Sequence, residues 1–352
     1  MTLEDALEAF VDPVLGTGLV SSGVLRGADR SSSGPRISID LGFPAARYRH
    51  GFAARLQTHL RDALGIEAAI DVDWKVAASA PDPRLGQNVI ANVIAVASGK
   101  GGVGKSTVSV NLALALAAEG AKVGILDADI YGPSVPRMLG ATGRYEGMGQ
   151  GPLEPAVAHG IKVMSIGLLV DDEQPMIWRG PMVSQAFSKL FGGTSWGRLD
   201  YLVLDLPPGT GDVQLTLSQQ VPVSGAVIVT TPQDIALLDA RRAVQMFNRV
   251  HVPVLGVAEN MSWHACSQCG HREHIFGDGG GERMARRFDT ELLGQIPLNA
   301  AICEHMEQGA PTLVTEPDGP IASVYRQIAL KAAARLATGK GEAAPEILVT
   351  DD

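Results

Sequence analysis

The chain has 352 residues, 45% hydrophobic and 19% charged, with a formal net charge of −9. It is long enough for two domains, and its acidic excess leaves no global basic footprint for nucleic acid. Three cysteines fit a reducing compartment better than a disulfide framework. No apolar run approaches the roughly 18 residues that span a bilayer. The opening MTLEDALEAFVDP lacks the basic and apolar stretches of a secretory signal, so a cytoplasmic setting is expected.

Residues 1–80 read as a small α+β domain: a helix over 3–10 ending near Asp12-Pro13, strands over 23–27 and 37–41, a helix over 47–64 with apolar residues at Phe52, Leu56, Leu60 and Leu64, and a strand over 68–74. Residues 81–91, opening on Pro81 and Pro83, read as a linker. From 92 to 338 strand and helix patterns alternate, which predicts an α/β domain with a mostly parallel sheet flanked by helices. The expected strands are 93–97, 123–127, 161–165, 201–206, 225–230, 254–259 and 291–296. Residues 137–160 read as an irregular, glycine-rich insertion, and 339–352 as a disordered acidic tail.

Residues 99–107 read GKGGVGKST between the apolar run 93–97 and a helical pattern, so the G-x-x-x-x-G-K-[ST] match has its strand–turn–helix context. This predicts a nucleoside triphosphate site. Gly99, Gly101, Gly102 and Gly104, with Val103 between them, let successive N–H groups converge at a helix N-terminus. Lys105 is expected on the β- and γ-phosphates, Ser106 on magnesium and Thr107 on the α-phosphate side. An ordinary loop of this kind does not need Lys100; at the loop tip it reads either as a solvated surface lysine or as one that reaches a partner's nucleotide across a two-fold axis.

Ligands of open α/β sheets bind at the carboxyl ends of the strands. VGILD ends at Asp127 with Asp129 just beyond, and YLVLD ends at Asp205, which leads into LPPGTGD. Asp205 is expected to hold magnesium, Asp129 to orient the attacking water, and Asp127 to support the loop lysine or the metal. The turn 205–212 is expected to act as a switch segment.

Cys266 and Cys269 have the spacing of metal ligands. Two thiolates close neither a zinc site nor a [4Fe–4S] cluster. Either His271 and His274 complete a zinc site within one chain, or two chains share a cluster on a dimer axis. The histidines crowd close behind Cys269, which favours the shared cluster. Cys303 is expected to be a packed or incidental thiol.

With GKGGVGKST, DADIYGPSVPRMLG (127–140), WRGPMVSQA (178–186), DYLVLDLPPGTGDVQLTLSQ (200–219), VTTPQDIALLDARRAV (229–244), VLGVAENMS (254–262), CSQC, IFGDGGGERMA (275–285) and LLGQIPLN (292–299), the chain resembles the Mrp/ApbC family of iron–sulfur cluster carrier ATPases. These are deviant-Walker relatives of ParA and MinD. The resemblance implies a P-loop NTPase fold and a homodimer that binds ATP and Mg2+. It also implies a labile [4Fe–4S] cluster bridged by Cys266 and Cys269 of each chain. Lys100 matches the signature lysine that crosses the interface, and Asn260 the position that contacts adenine. Hydrolysis is expected to be slow and switch-like, with cluster donors and apo iron–sulfur proteins as partners and neither nucleic acid nor membrane. The first 80 residues more faintly resemble the small domain fused ahead of such carriers. That domain often carries a cysteine, whereas FPAARYRHG has none, so no metal role is expected there. Two other readings are a spatial-organising ATPase and a zinc metallochaperone. The first would bind membrane or DNA through the helix 321–336 with Arg326, Lys331 and Arg335, but its apolar residues are mostly alanine, too weak for anchoring.

Overall fold

The computed structural model describes residues 1–31, 34–76, 82–85, 87–129, 132–142, 152–168 and 180–339. The chain divides into two units, Met1–Ala77 with the chain from Ala333 onward, and Ala78–Ala332. The expected tail lies outside the described residues apart from Gly339, which closes the last helix.

In the first unit, α1 (Leu3–Ala9) starts at a capping box in which Thr2 and Asp5 exchange side-chain and backbone hydrogen bonds. Strands β1 (Leu25–Ser31) and β2 (Gly34–Asp40) are antiparallel, α2 (Tyr48–Leu64) buries Phe52, Leu56 and Leu60, and β3 (Ala69–Asp73) runs parallel to β2. The first strand lies later than its expected span because ladder pairing with β2 carries it into the polar sequence GADRS. Asp12 is fully buried and accepts from the backbone N–H of Val14, the Tyr48 hydroxyl at 2.5 Å and Arg55 at 2.8 Å. The buried carboxylate thereby ties the turn after α1 to α2.

The second unit begins earlier than expected. Within the sequence-predicted linker, Pro83–Leu85 form a 3₁₀ turn that buries Leu85 in the core, and β4 spans Val89–Ala97. Residues 77–81 and 86 lie outside the described residues. Then follow α3 (Lys105–Ala118), β5 (Val123–Asp127), α4 (Val135–Met138), β6 (Ala156–Ala158), β7 (Ile161–Ser165), α5 (Gly180–Gly192), β8 (Arg198–Asp205), α6 (Asp212–Gln220), β9 (Gly225–Thr230) and α7 (Asp234–Arg249). After β10 (Val254–Glu259) come the short pair β11 (His264–Ala265) and β12 (Arg272–Glu273), then α8 (Gly280–Arg287), β13 (Leu292–Gln295), α9 (Ala300–Glu307), α10 (Thr312–Thr315) and α11 (Pro320–Gly339).

The main sheet has the order β13-β10-β9-β4-β8-β5-β7-β6, parallel except for the β6–β7 pair. The expected irregular insertion therefore contains a strand; 143–151 within it lie outside the described residues. β4, β5 and β9 are buried almost throughout, as a parallel sheet covered on both faces requires. Beneath it, Trp196 is fully buried and donates its indole N–H to the Phe191 carbonyl at 2.9 Å. Trp196→Ala removes a large core side chain and leaves that carbonyl unpaired. It should cost about 3–5 kcal/mol of stability, read as a lower midpoint in chemical denaturation of the purified protein.

Candidate functional site

The parallel register brings the carboxyl ends of the central strands to one edge. Val96 of β4 and Asp127 of β5 both lie beside Asp205 of β8, while Thr230 of β9 lies beside Glu259 of β10. The loop 99–104 leaves β4 at this edge and turns into the N-terminus of α3. Gly104 caps that helix at φ +82°, and a Cβ there would sit 2.2 Å from the Asn260 side-chain nitrogen, so only glycine fits.

Asp205 is fully buried, and its compensation comes from one turn of α3. Lys105 Nζ pairs with Oδ1 at 2.8 Å, while the hydroxyls of Ser106 and Ser109 donate to it at 2.6 Å each. Lys105 thus makes its direct ion pair with Asp205, while its charge also acts on Asp127. Asp127 instead accepts from the backbone N–H groups of Asp129, Ser134 and Val135 and from the Ser165 hydroxyl, which fixes the entry to α4. Ser109 was not singled out in the sequence, although its position four residues after Lys105 puts it on the same helix face.

A cavity of about 200 Å³ opens above this cluster, lined by Lys100, Lys105, Ser106, Thr107 and Asp129 among others. The structure thus brings both loop lysines and Asp129 to one space with the charge to hold a polyphosphate. A second cavity of about 350 Å³ shares Gly104, Thr107 and Met138 with the first and continues over Asn260, Met261, Leu298 and Cys303. Cys303, expected as incidental, lies in this wall.

Asn260 donates to the carbonyl of Val103 at 2.9 Å and accepts from the N–H of Met261. One amide hydrogen and one carbonyl lone pair are left over. Glu259, fully buried, accepts from the Ser262 hydroxyl, the Gly281 N–H and the Gln295 amide. Sequence reasoning missed it, although an acid closing the apolar run VLGVA is the signal that identified Asp127 and Asp205.

Cys266 and Cys269 sit at the tip of the β11–β12 hairpin, whose turn is closed by Cys266 N–H to His271 C=O and Gly270 N–H to Cys266 C=O, both at 2.9 Å. Cys269 is exposed and Cys266 partly so, and both are free thiols. Backbone N–H groups of Gln268 and Cys269, followed by the Cys269 thiol, hold the Cys266 thiol below its ordinary range, so it ionises readily. His274 turns Nδ1 to the Ser262 carbonyl at 3.0 Å. Among the described residues no group of three His, Cys, Asp or Glu side chains is gathered to hold a metal. No described helix is long and apolar enough to cross a membrane.

A family model described as the NUBPL iron-transfer P-loop NTPase matches residues 89–333. An iron–sulfur cluster carrier protein from Escherichia coli (strain K12) is 54% identical over 279 residues, covering 78% of this chain and 76% of that protein. One from Haemophilus influenzae is 48% identical over 343 residues, covering 95% and 91%. The solved structure of a nucleotide-binding protein from Archaeoglobus fulgidus, in complex with ADP and with cobalt, is similar at a TM-score of 0.57 with 38% identity, covering 68% of this chain and 93% of that one.

Burial first, and the adjacent Asp205 charge second, push the Asp127 carboxyl up to about 7, against the N–H donors of Val135 and Asp129 and the Lys105 charge. A carboxyl raised in the folded state favours folding most below its unfolded value, and that contribution declines as pH rises towards 7 and is flat above. Infrared titration of the nucleotide-free protein, with Asp127→Asn as the subtracted control, should show a buried carboxyl deprotonating near 7. A midpoint below about 5, close to a free aspartate, would contradict this assignment.

Proposed function

We propose that this chain, which belongs to the NUBPL iron-transfer P-loop NTPases, is an ATP-hydrolysing carrier that takes up an iron–sulfur cluster and passes it to apoproteins. The observation that carries this reading is the pair of free thiols, Cys269 exposed and Cys266 partly so, on a hairpin that begins a few residues along the chain from Asn260 in the nucleotide cavity. A cluster of the [4Fe–4S] type needs four thiolates, and one chain offers two here. Two copies around a two-fold axis supply four. Large apolar side chains are exposed at Ile235 and Leu238 on α7 and at Ile275 just after the hairpin, and a second copy would cover positions of this kind.

The phosphates would lie against the N–H groups of Gly99–Thr107, with Lys105 on the β- and γ-phosphates. Ser106 and Asp205 present hard oxygen donors 2.6 Å apart, a set that fits Mg2+. A magnesium ion bound there would neutralise phosphate charge. Asp129, in the phosphate cavity, orients the attacking water, and Lys100 of each chain reaches the nucleotide of the other. The spare donor and acceptor of Asn260 match the N7 and N6 edge of adenine.

A role on membrane or nucleic acid has less support. Lys331 is paired with Glu291 at 2.5 Å, and Arg326 is bonded to the Pro317 carbonyl and to Ser323. Free thiols suit the reducing cytoplasm. Cysteine-bearing apoproteins would receive the cluster.

Anaerobic reconstitution with iron and sulfide should yield brown protein with about four irons per dimer, and Cys266→Ser or Cys269→Ser should lose it. Iron retained in both variants, or zinc in place of iron after anaerobic purification, would overturn the cluster assignment. Lys100→Ala should keep nucleotide affinity within about threefold while turnover falls about 10²-fold or more, the behaviour of a finger acting in trans. Steady-state hydrolysis alongside equilibrium nucleotide binding separates the two effects.

A further inference from the structure

The nucleotide cavity and the cysteine hairpin are joined by one stretch of chain, 259–274, and almost every residue at its start is fastened on both sides. Asn260 holds the P-loop through the Val103 carbonyl. Met261 follows at φ +55°, a left-handed conformation that is uncommon for a non-glycine residue. Ser262 donates its N–H to Ile296 C=O, and its own carbonyl receives the His274 ring from the far side of the hairpin. Trp263 accepts from the N–H of Leu298, which lines the nucleotide cavity, and carries the Arg272 guanidinium 4.3 Å above its ring. The path from Asn260 to Trp263 is thus held at each residue before the hairpin begins.

Glu259 fastens the whole turn. Its carboxylate, with no exposure to solvent, takes hydrogen bonds from Ser262 Oγ at 2.5 Å, Gly281 N–H at 2.5 Å and Gln295 Nε2 at 3.0 Å. These donors come from the turn, from the first turn of α8 and from the end of β13. The approach of α8 depends on Gly281, since a Cβ there would lie 3.0 Å from the Cβ of Glu259 and 2.9 Å from Leu292. A buried carboxylate is costly, and three donors from three elements let it hold a strained turn in one arrangement.

We propose that Glu259 is a positioning residue that links the two sites: nucleotide seated at Asn260 sets the placement of the Cys266–Cys269 hairpin through the clamped turn 259–262. The proposal rests on the nucleotide-and-cluster reading above. It assigns Glu259 to neither binding site, and its effect is on the communication between them.

Full-length, metal-free protein carries the test. Alkylation of each cysteine by iodoacetamide is followed by peptide mass spectrometry with and without ADP. Cys303 lines the nucleotide cavity, so its protection reports that nucleotide is seated, independently of the hairpin. In the unaltered protein ADP should protect Cys303 and change the rates at Cys266 and Cys269 by at least about fivefold, the lower end of ordinary coupling between sites. Glu259→Gln puts an amide donor among N–H donors. Protection of Cys303 should persist in it while the response at Cys266 and Cys269 vanishes. Ser262→Ala should weaken the response and Ser262→Thr, which restores the hydroxyl, should recover it. That second pair decides the matter if Glu259→Gln fails to fold. Failure of ADP to protect Cys303 in the unaltered protein would sink the nucleotide reading and the link with it. Protection of Cys303 without any response at the hairpin, or a response that survives Glu259→Gln and Ser262→Ala unchanged, overturns the link alone.

Discussion

A carboxylate at the end of a central strand, cut off from water, has to be answered by the residues around it, and at Asp205 the answer comes entirely from α3. Lys105, Ser106 and Ser109 all reach it from that helix's first turn. An unanswered charge there would cost several kcal/mol, so the helix start cannot drift from the strand end. That anchorage fixes where the loop from β4 must close, and the closure brings Gly104 against Asn260. The two cavities meet at that contact. The position of the nucleotide site thus follows from one buried ion pair and the register that brings Val96, Asp205 and Asp127 level.

Much of this was legible in the chain, and the departures have local causes. β4 was expected over 93–97, after the polar Asn92. The strand in fact passes through it, since the Asn92 amide is satisfied by the Asp200 carbonyl of the neighbouring strand at 3.3 Å. β6 is three residues long and owes its existence to the turn His159-Gly160, where both residues have positive φ, and not to any hydrophobic pattern. The acids at 127 and 205 could be read from their place at the ends of apolar strands, but not their partners. Which of them would take Lys105 depends on the packing of α3, a contact about a hundred residues apart in sequence. The bond between His274 and Ser262 depends on the path of the hairpin, for which no periodicity exists.

The two units solve the same electrostatic problem at different scales. Asp12 in the first is buried as completely as Asp205, and it also draws on a cation and a hydroxyl, Arg55 and Tyr48. There the cluster ties a turn to a helix; beside Asp205 lies a cavity lined with lysine. What separates a structural cluster from a binding site is the converging loop beside it, not the buried acid.

The cysteine hairpin is joined by only two residue pairs, His264 with Glu273 and Ala265 with Arg272. A two-stranded ribbon of that size has little stability of its own, and here the stacked Trp263–Arg272 pair supplies part of what it lacks. In the proposed carrier a cluster held by both cysteines would act as a cross-link across the tip and between copies, and would stiffen the ribbon for as long as it stays. Handing the cluster over would then dissolve the scaffold that gripped it. An empty carrier would be a looser object than a full one, and recapture from the recipient would have to begin by re-forming the grip.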